Sequence, residues 1–96
     1  MYTIKLDPLF KKPYRKLTEG NNQLKIAVRK AFKLLEVDPK YPSLHSHKVQ
    51  TPTFGEKWSS RVTGDIRIIW DFDEDNNLII FVLDIGGHSG SGKVYK

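Results

Sequence analysis

Apolar positions at Leu24, Ala27, Val28, Ala31, Leu34 and Leu35 recur at the 3.6-residue spacing of one helix face. They predict a helix through NNQLKIAVRKAFKLLEV, stopped by Pro39. Lys25, Arg29, Lys30 and Lys33 lie mostly off that stripe and predict a solvated basic face, with phosphate contact as the second use. Ahead of it, residues 2–6 (YTIKL) alternate and carry β-branched side chains, the pattern of a strand. Asp7 followed by Pro8 reads as a helix cap and first helical position, opening a segment that runs to Leu17. Pro13 inside it predicts a kink or two short pieces.

In the second half the pattern changes to strands. Residues 58–62 (WSSRV) precede Thr63-Gly64, which reads as a two-residue hairpin turn. Ile66, Ile68, Trp70 and Phe72 then alternate on one face, with Arg67, Ile69 and Asp71 on the other. With that turn, Val62 opposes Asp65 and Ser60 opposes Arg67, so Arg61 shares the face of Ile66. A bulge or a longer turn brings Arg61 and Arg67 together instead. Residues 73–77 (DEDNN) form a second turn, and residues 78–85 (LIIFVLDI) read as a strand covered on both faces. Residues 40–57 carry two prolines, a glycine and scattered Ser and Thr, and read as a long loop. The order is β-α-α-β-β-β: an α+β fold with two N-terminal helices packed on a small antiparallel sheet.

Length and composition narrow the classes. Ninety-six residues (1–96) fit a single domain with one core. The absence of cysteine excludes disulfides and thiolate-bound metal. No apolar stretch has the length of a membrane span, and the N-terminal residues do not read as a signal peptide. The expectation is a soluble, cytoplasmic protein. Sixteen Lys and Arg against eleven Asp and Glu leave a net charge of +5, which suits a polyanionic partner but also plain solubility.

The C-terminal GHSGSGKV comes within one residue of a phosphate-binding loop. Such a loop must lead into a helix, and only Val94, Tyr95 and Lys96 follow Lys93; the Ser/Thr that would hold magnesium is Val94. A nucleotide site is not expected. His45 and His47 offer two metal ligands without acidic partners at useful spacing, so no metal is expected either.

WSSRVTGDIRIIWDF, a polar turn, an apolar strand and IGGH…VY together resemble the RelE/ParE superfamily of bacterial toxins. The chain looks most like the YafQ/RelE branch of ribosome-dependent mRNA endonucleases. The resemblance covers most of the chain in element order and is specific between Trp58 and Tyr95. It implies a toxin that enters the ribosomal A site and cuts mRNA there. The RNA's own 2′-hydroxyl attacks the adjacent phosphate, without metal or cofactor. It also implies a cognate antitoxin, no small-molecule cofactor and no membrane.

That chemistry asks for a base, an acid and cations that steady a charged phosphorane. Arg67 stands where the family keeps an arginine in a Y-R-I-I strand, and a guanidinium grips two phosphate oxygens at once. Its bland alternative is a surface arginine. His88 matches the terminal histidine of the YafQ branch, where RelE has an arginine nearby. Asp65 matches an aspartate of the YafQ branch, although an acid beside Gly64 also suits a turn. Arg61 departs from that branch, which has a histidine there; a permanently charged guanidinium leaves a cationic role and not a base. His47 lies about where the branch places its first catalytic histidine, and His45, two residues away, is an equal candidate. The resemblance thus implies His47, Asp65, Arg67 and His88 as catalytic. His45, Lys48, Arg61 and Tyr95 are expected RNA or phosphate contacts, Tyr95 stacking on a base or anchoring the C-terminus. The rival functions are a ParE-like poison of DNA gyrase, acting by binding alone, and an inactive family member.

Overall fold

The structure, a computed structural model, describes residues 1–87; His88 and Tyr95 lie outside them. Strand β1 (Thr3–Leu6) leads into a short 3-10 helix (Pro8–Phe10), then α1 (Lys11–Thr18) and α2 (Asn22–Val37). A second 3-10 turn (Pro42–Leu44) precedes β2 (His47–Thr51), β3 (Gly55–Arg61), β4 (Ile66–Phe72) and β5 (Ile79–Gly87). The sheet order is β1-β5-β4-β3-β2. The expected α+β arrangement forms, with five strands in place of four. The sheet is mixed: β1 runs parallel to β5, and the remaining neighbours are antiparallel. A parallel pair needs a long crossover. Here the crossover is everything between β1 and β5.

Local chemistry sets the helical boundaries. The Asp7 carboxylate accepts from the Leu9 N–H at 2.9 Å, capping the 3-10 helix. Pro13 falls in the first turn of α1, where a missing N–H costs no helical bond, so the expected split occurs ahead of it. Asn21 caps α2 through the Leu24 N–H at 3.0 Å. Leu24, Val28, Ala31 and Leu35 are buried, while Lys25, Arg29, Lys30 and Lys33 are exposed as the stripe predicts.

The segment read as one long loop, residues 40–57, is the main correction. It contains the second 3-10 turn, all of β2 and the start of β3. HKVQT is too polar to signal a buried strand, because β2 lies at the sheet edge and is mostly exposed. Gly55, at φ +76°, makes the tight return that pairs Thr51 with Gly55.

Helices and the inner face of the sheet share one core: Phe10, Leu24, Val28, Ala31, Leu35, Leu44, Ile68, Trp70, Ile80, Val82 and Ile85. Trp70 stacks on Trp58 at 5.6 Å and donates its indole N–H to Ser60 Oγ at 2.7 Å. Ile69 is fully buried yet outside this cluster, which marks the other face of β4. No described helix is long and apolar enough to cross a membrane.

Candidate functional site

The register of the β3–β4 hairpin decides what the outer face displays. Arg61 pairs with Arg67, Ser60 with Ile68, Ser59 with Ile69 and Trp58 with Trp70. The turn is thus longer than the two-residue version, and the tighter register is corrected. Both Val62 and Thr63 donate their N–H groups to the Ile66 carbonyl, at 2.9 and 3.2 Å. The Thr63 hydroxyl accepts from Ile66 N–H at 3.0 Å. Threonine's own side chain therefore closes the wider turn. The result places two guanidinium-bearing residues directly opposite each other on the face away from the helices. Like charges in that position are unfavourable unless an anion answers them.

Arg67 is half-buried and its Nη1 donates to the Thr63 carbonyl at 2.8 Å. One guanidinium nitrogen is thereby anchored, and among the described residues no acid pairs with this side chain. Arg61 is exposed and has no hydrogen bond or ion pair among the described residues. In contrast, Lys57 and Asp71, further along the same face, satisfy each other at 3.1 Å. The end with the arginines is thus the one whose charges have no acidic partner among the described residues.

The row beside the arginines runs His47–Ser59–Ile69–Asp84 across β2, β3, β4 and β5. His47 Nδ1 lies 2.8 Å from the His45 carbonyl. A carbonyl only accepts, so Nδ1 carries the proton and the lone pair sits on Nε2. His45 supplies that carbonyl from a left-handed backbone, φ 48° and ψ 45°. The two loop histidines thus differ in kind: one presents a ring in a set tautomer on the strand, the other contributes its main chain.

Asp84 is the residue that sequence reasoning missed. Strict alternation after Ile80 and Val82 would send it into the core. A bulge intervenes: Ile69 pairs with Asp84, but the next residue, Trp70, pairs with Val82, leaving Leu83 as the extra residue. Ile85 takes the core position and Asp84 turns to the face of Arg67. Its carboxylate accepts from the Ile85 N–H at 2.8 Å. Burial pushes its pKa up, and the backbone hydrogen bond only partly offsets that. The one signal in the sequence was an acid inside the apolar run LIIFVLDI.

Lys48, an expected contact, and Asp65, expected to be catalytic, lie elsewhere. Lys48 pairs with Trp58 and sits on the helix side, its ammonium 5.3 Å from the Trp58 ring and 3.8 Å from Glu56. Asp65 lies in the exposed turn between β3 and β4, its N–H bonded to Thr63 Oγ1 at 3.3 Å. His88 and Tyr95 fall outside the described residues. No group of three or more His, Cys, Asp or Glu among the described residues is arranged to hold a metal ion.

No protein-family model matches the sequence, and no curated protein matches it. Solved structures do match in fold. A metal-bound toxin from Helicobacter pylori superposes with a TM-score of 0.70 at 20% identity, over 92% of this chain and 96% of that one. YafQ from E. coli gives 0.67 at 16% identity, over 91% and 93%. YafQ in the E. coli DinJ-YafQ toxin-antitoxin complex gives 0.67 at 17%, over 91% and 92%. At these identities the likeness establishes the fold, the one these structures share.

Proposed function

We propose that this chain, which has the RelE-like toxin fold, is the toxin of a type II toxin–antitoxin pair and cleaves mRNA in the ribosomal A site. The observation that carries the reading is the cross-strand Arg61–Arg67 pair, with His47 in the adjoining row. Two guanidinium groups facing one another suit a phosphodiester, which each can grip through two oxygens. His47, with its lone pair on Nε2, suits removal of the 2′-hydroxyl proton. The 2′ oxygen attacks phosphorus, the bond to the 5′ oxygen breaks, and the products are a 2′,3′-cyclic phosphate and a 5′-hydroxyl. RNA supplies the nucleophile, so DNA is inert and the reaction calls for neither metal nor cofactor. Arg61, in place of a second histidine, joins Arg67 in charge stabilisation. His88 protonates the leaving oxygen on the family pattern, Asp65 orients groups at the turn, and Tyr95 stacks on a base. His45 borders the RNA path, while Lys48, on the helix side of β2, lies off it.

The neighbours found as toxin–antitoxin complexes, together with the net charge of +5, support a cognate antitoxin with an acidic or amphipathic segment. The place of action is then the cytoplasm, on translating ribosomes. Inducing the chain without its antitoxin, with mapping of mRNA 5′ ends, tests the reading. New 5′-hydroxyl ends within translated codons, lost in Arg67→Ala, are expected. Intact messages with DNA-damage signalling assign the chain to gyrase poisons; harmless expression assigns it to inactive family members.

A further inference from the structure

We infer that Asp84, delivered to the outer face by the β5 bulge, is the group that protonates the leaving 5′ oxygen. The inference rests on the endoribonuclease reading and moves one role in it from His88 to Asp84. Across the sheet the order of side chains is imidazole on β2, guanidinium on β3, guanidinium on β4, carboxyl on β5. His47 and Asp84 stand in one row, three strand spacings apart, or roughly 14 Å between backbones. Arg61 and Arg67 stand in the adjoining row on the two strands between them. In-line displacement at phosphorus needs its attacking and leaving oxygens on opposite sides of the phosphate. A phosphate held by the two arginines therefore meets the base on its β2 side and the acid on its β5 side.

Three observations distinguish Asp84 from an incidental surface acid. The bulge places its side chain on this face against the alternation of its own strand. Among the described residues its hydrogen-bond partner is the Ile85 N–H, which engages Oδ1. No cation among the described residues pairs with it, although Arg67 lies diagonally across on β4. The other charged groups on this face, among the described residues, are Arg61 and Lys57 on β3, Asp71 on β4 and Lys5 on β1. Lys57 and Asp71 already neutralise each other, and Lys5 pairs with Phe81, in the row of Asp71 and not that of Asp84. Burial favours the protonated carboxyl, the form that can donate.

The step balances. The 2′-hydroxyl proton passes to His47 Nε2 as the O2′–P bond forms. The P–O5′ bond breaks, its electron pair stays on oxygen, and the Asp84 proton joins it. The enzyme is left with an imidazolium and a carboxylate, and solvent returns each to its starting state.

A leaving group that needs no proton separates this role from a structural one. The probe is a short mRNA on programmed ribosomes, with one 5′-bridging phosphorothiolate linkage in the A-site codon, beside its all-oxygen counterpart. Asp84→Asn keeps an acceptor for the Ile85 N–H. It is expected to slow cleavage of the oxygen-linked RNA by roughly 10²–10⁴-fold and to recover to within about tenfold of wild type on the thiolate. His47→Ala is expected to stay slow on both. Equal slowing of Asp84→Asn on the two substrates overturns the assignment, as does unimpaired cleavage of the oxygen-linked RNA. Thiolate rescue of His88→Ala alone returns the role to His88. If wild-type protein leaves both RNAs intact, the endoribonuclease reading itself falls.

Discussion

At the scale of single residues, the two neighbouring histidines make opposite demands on substitution. His45 acts through a left-handed backbone carbonyl, so glycine or asparagine should serve as well as histidine, and valine should not. Nitrogen NMR of the His47 ring reads the outcome: His45→Gly keeps the Nδ1-protonated tautomer, and His45→Val loses it together with activity. His47→Ala should abolish cleavage while leaving the fold intact. The arginine pair has a different signature. Removing one of two facing like charges relieves repulsion, so Arg61→Ala should leave stability unchanged or raise it by a few tenths of a kcal/mol. The same change should weaken RNA binding and reduce the dependence of log affinity on log salt by about 0.7. A variant that is as stable as wild type, binds less RNA and feels salt less is the mark of a phosphate contact. Loss of stability on Arg61→Ala would assign that side chain to the fold.

Among the elements, the least regular segment is tied down by a polar relay. Ser46 Oγ donates to the Pro39 carbonyl at 2.6 Å and meets Ser60 Oγ at 2.6 Å. Ser60 Oγ in turn accepts from Trp70 Nε1 at 2.7 Å. The relay fixes the approach to β2, and with it His47, to the two central tryptophans. Ser60→Ala orphans a fully buried indole N–H, which costs about 1–3 kcal/mol. Thermal unfolding should show the loss, and cleavage by the folded fraction should fall as well, because His47 loses its support. Helices α1 and α2 were legible from Leu24, Val28 and Leu35 and from the Asp7-Pro8 start, since caps and stripes are local. Strand β2 was not legible, because an edge strand needs no apolar alternation. The Arg61–Arg67 pairing was not fixed either, because one added residue in a turn reverses which face a side chain takes. Thr63 Oγ1, by capping Ile66 N–H, settles that choice.

For the molecule as a whole, the half-buried carboxyl on the outer face predicts how stability follows pH. Burial raises the pKa of Asp84 above its ordinary value of 3.8, so the folded protein holds that proton more tightly than the unfolded chain does. Its contribution is fully present below 3.8 and is lost as pH climbs through the raised value. Asp84→Asn removes this loss. The variant should gain on wild type in unfolding midpoint as pH rises from about 4 toward neutrality, with the gain vanishing in acid. A midpoint lower at every pH would make the carboxylate a structural clasp of the bulge. Such a pattern fits a sheet whose inner side is apolar and whose outer side gathers cations, an imidazole and an acid. The sequence by itself determined the helices, the strand-rich second half, the basic balance and the chemistry available at Arg67 and His47, because these depend on spacing and side-chain type. Tertiary structure alone decided which of those groups share a surface. Pairing register and the β5 bulge are properties of two strands together, and a shift of one residue in either sends a guanidinium or a carboxyl to the opposite side of the sheet.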